Sequence, residues 1–489
     1  MKDPALELLR TRPDLAELAA FPFDFDIARA YHVEDVRLAS GAPLEPVAGD
    51  DTGGTYFVCG DGAVLYASSE GEAVLIADSV TEALETIIRL PRWCEGIRPG
   101  LDEEQLLAAV REGDEEAREQ FAPELDVQRA ALLSGLGLPE RPLVELAAMA
   151  ESAARRTEPD HVLLNAHELG AYRLPGDPPR RSLRDVVLAP GREALERMRS
   201  GEPGAWEEVG ADAVLRAGVI RAAQYDRRAD DLPLLCFLLE RENTERTDWF
   251  HERLSAAVLV GLHGRTEDVQ LLREATGDWV TDAEGAVSRA RKEDEECHGQ
   301  DPAAESEFTW IELARRQGRT EHARVALIRM LDDTGPDAER LRELSRALER
   351  LGDHAQAARA QSDLLSLQDT DWDRAAEAHV LARLELRKGD LGAARRALER
   401  ARAAVGLDGA APDATVSEWH RRGLGRMITE QHLELVITAV EAGEADLARE
   451  TMRHGKVLLK SIADDFRSSL GDLPARATWA VARLGRGPS

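Results

Sequence analysis

Between Asp160 and Glu168 the chain gathers Asp160, His161, Asn165, His167 and Glu168 within nine positions. Imidazole beside carboxylate is the raw material of acid-base catalysis and of metal ligation. On one helix, though, His161 and His167 stand six residues apart and point to different faces, so the segment reads as a surface helix with scattered histidines. Asp50 and Asp51, beside Gly53-Gly54, offer the hard oxygens that a cation takes, yet one adjacent pair is too few ligands. They read as an acidic turn entering a strand. His251-Glu252 and Trp419-His420 read as helix residues packed on neighbours. The sequence contains no GxxxxGK followed by Ser or Thr, no GxSxG, no HExxH and no GxGxxG after a strand. Cys59, Cys94, Cys236 and Cys297 are far apart with no CxxC pair and read as reduced thiols of a cytoplasmic protein. No cofactor and no metal is expected.

The formal net charge of -30 repels a phosphate backbone, whose binding draws on Lys and Arg, and so argues against nucleic acid and for a basic protein partner. No window approaches the roughly 18 apolar residues of a membrane span, and the acidic, proline-containing start MKDPALELLRTRPDLAEL is unlike a signal peptide. Neither the partner's identity nor the oligomeric state is set by the sequence.

The elements that would position these residues change character along the chain. His32 to Leu38, Thr55 to Cys59, Val64 to Ala67 and Ala73 to Ala77 are short apolar runs separated by turn residues, with Gly60-Asp61-Gly62 as a hairpin signal. Ser79, with Glu82 three residues on, opens a helix whose stripe is Ala83, Leu84, Ile87 and Ile88, and Pro91 ends it. A helix on one face of a meander predicts a small α+β unit of two layers. From Leu101 onward the pattern is helical. Asp102 caps the first stretch, and Gly113 either divides it or is absorbed. The polar stretch Leu174 to Arg181 breaks the pattern, and the charged stretch Arg289 to Glu307 reads as solvated.

The segment Gly49 to Ile88 resembles the SUKH superfamily of bacterial immunity and fungal cell-wall regulatory proteins, through Gly53-Gly54-Thr55-Tyr56-Phe57, Val64-Leu65-Tyr66 and the helix from Ser79. That resemblance implies immunity or regulation, by masking a partner such as a toxin domain. Farther on, Gly318/Ala323, Gly352/Ala357, Gly389/Ala394 and Gly443/Ala448 repeat one spacing, with the first three glycines 34 and 37 residues apart. A glycine in a tight turn and an alanine where two helices meet resemble tetratricopeptide repeats. Gly443 follows Gly389 by 54 residues, across an insertion containing Gly409 and Pro412. Trp249, Trp279, Trp310, Trp372 and Trp419 line a concave groove or fill the core between helices.

The expected protein is thus mainly α, with an α+β domain over 1–98, a helical domain over 99–225, degenerate helical repeats over 226–300 and an α-solenoid over 301–489. Its expected function is non-enzymatic protein binding, with Asp50, Asp51, Tyr56, Tyr66, Trp310 and Trp372 as contact residues. A general adaptor and an enzyme with a site around His161 to Glu168 are the alternatives.

Overall fold

In Thr55–Cys59, Val64–Ala67 and Ala73–Ala77 nearly every residue is apolar, rather than every second one, and nearly every one is buried. Strands of that composition need cover on both faces. In a computed structural model, which describes residues 3–90, 102–176, 182–277, 282–298, 305–407, 418, 420 and 423–484, they receive it. The strands are β1 (Val36–Leu38), β2 (Leu44–Gly49), β3 (Thr55–Cys59), β4 (Val64–Ala67), β5 (Ala73–Ala77) and β6 (Leu163–Asn165). β2 to β5 form an antiparallel meander in chain order.

Tyr56 stands opposite Tyr66 in the β3–β4 register. Both lie on the face that also carries Ala48 and Ile76, and there they meet Leu6 and Leu9 of the first helix, Leu84 and Ile88 of Val80–Arg89, and Leu132 and Leu136 of Leu125–Leu136. The opposite face presents Phe57, Cys59, Leu65 and Leu75 to Leu38, Leu163 and Tyr172. The two expected layers are therefore three. β1, expected beside the meander, pairs instead with β6, Val36 opposite Asn165, and this ribbon supplies the third layer. β2 was not foreseen, because Pro46 breaks the strand signal; the register shifts there, and as the end strand of the sheet β2 tolerates it.

The helix caps follow the sequence closely. Ser79 accepts from the Glu82 amide at 3.2 Å, although Glu82 reaches back to Asp78 rather than to Ser79. Glu103–Gln120 is one helix through Gly113, opened by a reciprocal box between Asp102 and Gln105. Pro91 lies outside the described residues. Leu125, Leu132, Leu136 and Leu146 belong to the same core as Leu84 and Ile88, so the hydrophobic core runs straight across the boundary expected at 98/99.

The chain divides instead into residues 1–177 with 327–489, and residues 178–326. The first break falls inside the polar stretch Leu174 to Arg181, of which 177–181 lie outside the described residues. In the first unit the later segment forms helix pairs: Ala338–Leu351 with His354–Ser366, Asp371–Lys388 with Leu391–Ala404, and Gly423–Glu441 with Ala445–Ser461. Gly352, Gly389 and Gly443 end the leading helices at φ of +85°, +90° and +81°. Asp353 and Asp390 then cap the following helices through the amides of Gln356 and Ala393. Ala357, Ala394 and Ala448 are buried where the pairs meet. The insertion with Gly409 and Pro412, together with Trp279 and Trp419, lies outside the described residues.

These pairs, and Arg329 ahead of them, fasten onto the stretches on either side of β6. Arg329 binds the Glu158 carboxylate at 2.9 Å and the Tyr172 carbonyl at 2.8 Å. Gln356 and Arg359 donate to the Leu169 carbonyl at 2.7 and 3.2 Å.

The regular elements among the described residues of the second unit are all helices, around Leu195, Val219, Ile220, Leu238, Leu239 and Leu259. Gly191 and Gly218 let two of its helices touch backbone to backbone; a Cβ on Gly191 would collide with the Gly218 carbonyl. Arg216, fully buried, bonds to Glu242 and Glu245, each at 2.6 Å, and to the Gly210 carbonyl at 2.7 Å. The stretch expected to be solvated contributes to this interior: Glu305 accepts from Arg221 at 3.0 Å and from the Tyr225 hydroxyl at 2.8 Å. Among the described residues no helix is long and apolar enough to cross a membrane.

Two stability predictions follow from this packing. Glu242→Ala takes from the buried Arg216 cation the fully buried one of its two carboxylate partners and should cost about 1–3 kcal/mol, read as a lower unfolding midpoint. Gly352→Ala meets no atom within 4 Å, so only its left-handed φ opposes it, and the loss should be about 1–2 kcal/mol.

Candidate functional site

The acidic turn between β2 and β3 is organised around one carboxylate. Asp50 Oδ1 accepts from the Thr52 amide at 2.8 Å, the Thr52 hydroxyl at 2.9 Å and the Gly54 amide at 2.8 Å. Its Oδ2 accepts from the Tyr66 hydroxyl at 2.6 Å. A side chain on Gly54 would run into that hydroxyl and the same carboxylate, which is why a glycine stands there. Tyr66 packs on Tyr56 at 5.1 Å between ring centroids, and Tyr56 on Phe25 at 5.0 Å.

Of the six residues expected to contact a partner, Asp50, Tyr56 and Tyr66 are thus interior, where they shape the turn. Trp310 is interior too, with its ring 5.6 Å from that of Tyr225. Trp372 is half-buried. Asp51 is exposed and paired with Arg29 at 2.6 Å.

What faces outward beside this turn is the segment from Asp24 to Asp35. It is tied to β2 by paired backbone bonds between Asp26 and Gly49, of 2.9 and 3.0 Å, and to the turn by Arg29, which donates to the Asp50 carbonyl at 3.1 Å. Farther along, the Thr55 hydroxyl lies 3.0 Å from the Tyr31 carbonyl and 3.0 Å from His32 Nδ1. His32 Nε2 stands 3.0 Å from the Tyr172 hydroxyl, which donates to Glu34 at 3.0 Å, and Asn165 donates to the same Glu34 oxygen at 2.9 Å. Since Tyr172 gives its proton to Glu34, it accepts from His32 Nε2–H, and the single proton of the Thr55 hydroxyl faces both the Tyr31 carbonyl and His32 Nδ1.

Burial holds the His32 pKa below the usual imidazole range, against the pull of Glu34. Burial, then the Glu34 hydrogen bond, raises that of Tyr172. The chain is therefore a neutral fastening rather than an acid-base pair at neutral pH. Its effect is to hold His32 inward while its neighbours Tyr31 and Val33 stand outward, 68% and 76% exposed. Next to them in the chain stand the exposed carboxylates of Glu34 and Asp35.

The residues from Asp160 to Glu168 form a turn and β6 rather than the expected helix. Asn165 Oδ1 accepts from the amides of His167 and Glu168, each at 2.9 Å. His167 faces Asp35 at 3.2 Å and His161 faces Asp61 at 2.9 Å, so the two histidines do not converge. Glu252 is taken up by buried Arg221, and His420 by Ser461. Burial, then the charge of Asp61, pushes the Cys59 thiol up to about 12, far from a ready nucleophile. A cleft lined by Asp78, Glu82, Glu145 and Arg156 among others holds no histidine, cysteine or tyrosine.

Tyr31, Val33 and Glu34 escaped the sequence reading because what fixes them is remote: His32 and Tyr172 are 140 positions apart. The alternation of outward Tyr31, inward His32 and outward Val33 was the available signal. Comparison with protein-family models, with curated proteins and with solved structures found no match to this chain.

Asp24 gives this surface a pH response. Burial, then the charges of Asp51 and Asp50, pushes its carboxyl up to about 6, with Arg29 opposing. Between the ordinary carboxylate range and about 6, the folded chain keeps a proton that the unfolded chain has lost, so this contribution to stability is present at low pH and lost as the pH rises through about 6. Asn also tolerates the Asp24 φ of +53°. Asp24→Asn should therefore melt above the wild type at about pH 7.5, with the gain vanishing near pH 4.

Proposed function

We propose that this chain is a non-enzymatic protein-binding scaffold which masks a basic partner protein, with Tyr31 and Val33 as the apolar centre of the contact. The observation that carries this reading is the outward Tyr31-Val33 pair, pinned from behind by His32, Thr55 and Tyr172 and followed by the exposed carboxylates of Glu34 and Asp35. An aromatic anchor that is ordered before binding loses little entropy on association, and neighbouring carboxylates speed encounter with a basic surface. The net charge of -30 acts in the same direction.

The likeness of Gly49 to Ile88 to SUKH proteins favours immunity or regulation in the cytoplasm over general recruitment. We read the later helix pairs as tetratricopeptide-like repeats of an α-solenoid; left-handed glycines followed five residues later by buried alanines support that reading.

The test is affinity capture from the native cytoplasm with the full-length wild type and with a Tyr31→Ser/Val33→Asp double variant, followed by mass spectrometry. A basic protein held by the wild type should be lost from the variant, or bind it at least about tenfold more weakly, while the unfolding midpoint stays unchanged. An identical set of retained proteins would overturn the assignment of this surface.

A further inference from the structure

The β3–β4 hairpin carries Cys59 at the end of one strand and Asp61 in its turn, and the connection entering β6 brings His161 against them from 100 positions downstream. Cys59 Sγ, a carboxylate oxygen of Asp61 and a ring nitrogen of His161 all lie within 4.8 Å of one another. Thiol, carboxylate and imidazole are the donors that zinc takes, and no other such group of three occurs among the described residues.

The hydrogen bonding around the group is compatible with a ligating histidine. Asp61 Oδ1 accepts from the Ala63 amide at 3.2 Å, which leaves Oδ2 directed at His161 Nε2, 2.9 Å away. The other ring nitrogen, Nδ1, faces the Arg156 carbonyl at 3.4 Å. With a cation between Nε2 and Oδ2, the ring carries its one N–H on Nδ1. The Nδ1–H then goes to the Arg156 carbonyl, the kind of outer partner that fixes the tautomer of a ligating histidine. Bonds of about 2.0–2.3 Å to a tetrahedral ion put ligand atoms about 3.3–3.7 Å apart, so Asp61 Oδ2 has to withdraw from His161 Nε2 by about 0.4 Å, while Cys59 Sγ, within 4.8 Å of both, closes on them. The Asp61 side chain is 58% exposed on a turn and free to withdraw, while Cys59 is buried and His161 nearly so.

We propose that Cys59, Asp61 and His161 bind one Zn²⁺ ion, with the fourth coordination position open to water. The site is independent of the protein-binding surface around Tyr31 and does not rest on it.

The test uses the full-length, reduced, metal-stripped chain titrated with Co²⁺, whose thiolate complexes absorb in the near ultraviolet. A charge-transfer band that saturates at one equivalent and is abolished by one equivalent of Zn²⁺ is expected. Cys59→Ala should remove the band, Cys236→Ser should leave it, and His161→Gln and Asp61→Asn should each weaken binding at least about tenfold. Because Cys59 lies in the core, the metal-free unfolding midpoint of each variant separates lost ligation from lost folding, and exposed Asp61 provides the variant least coupled to folding. No band with the wild type, or a band unchanged by Cys59→Ala and Asp61→Asn, would overturn the site and leave His161 and Asp61 as a simple ion pair.

Discussion

A four-stranded sheet with no polar face has to be covered twice, and most of this molecule follows from that requirement. One cover is local: helices before the meander and directly after it supply Leu6, Leu9, Leu84 and Ile88. The other cannot be local, because the strands and their short turns are spent. Among the described residues the chain travels through three more helices before β6 returns to pair with β1 and close the second face. At about 25 cal/mol per Å² of apolar surface, leaving that face open would forfeit more than a domain's net stability, so the return is obligatory rather than ornamental.

The same return creates the polar juxtapositions of the N-terminal module that span the most sequence. Tyr172 reaches His32 and Glu34, and His161 reaches Asp61, because the ribbon that covers Phe57 and Leu65 must pass over them. The covering strap is in turn held from outside, by Arg329, Gln356 and Arg359 on its backbone carbonyls. The carbonyls of an irregular strap have no ladder partner of their own, and long donors from the helix pairs fill that vacancy.

Local chemistry was legible. β3, β4 and β5, the caps at Ser79 and Asp102, and the glycine-alanine helix pairs fall where turn residues, capping oxygens and apolar periodicity put them. The mainly helical composition with an early sheet was legible for the same reason. Illegible were the features fixed by distant partners: β6, the ribbon pairing of β1, and the core shared across residue 98. The strand composition did contain a clue. Val64-Leu65-Tyr66-Ala67 has no polar member, which already excludes a sheet with one wet face. The contact residues were misjudged on the same ground, since Tyr56 and Tyr66 sit in strands with no outside.

The strap also sets a timetable for synthesis. A nascent chain leaves the ribosome at roughly 5–20 residues per second, and 86 residues separate the end of β5 at Ala77 from the start of β6 at Leu163. The apolar face of Phe57, Leu65 and Leu75 therefore waits about 4–17 s for its cover. The Leu169 carbonyl then waits a further 187 residues, about 9–37 s, before Gln356 exists to bind it. During the first interval the chain presents exposed apolar surface of the kind that chaperones retain.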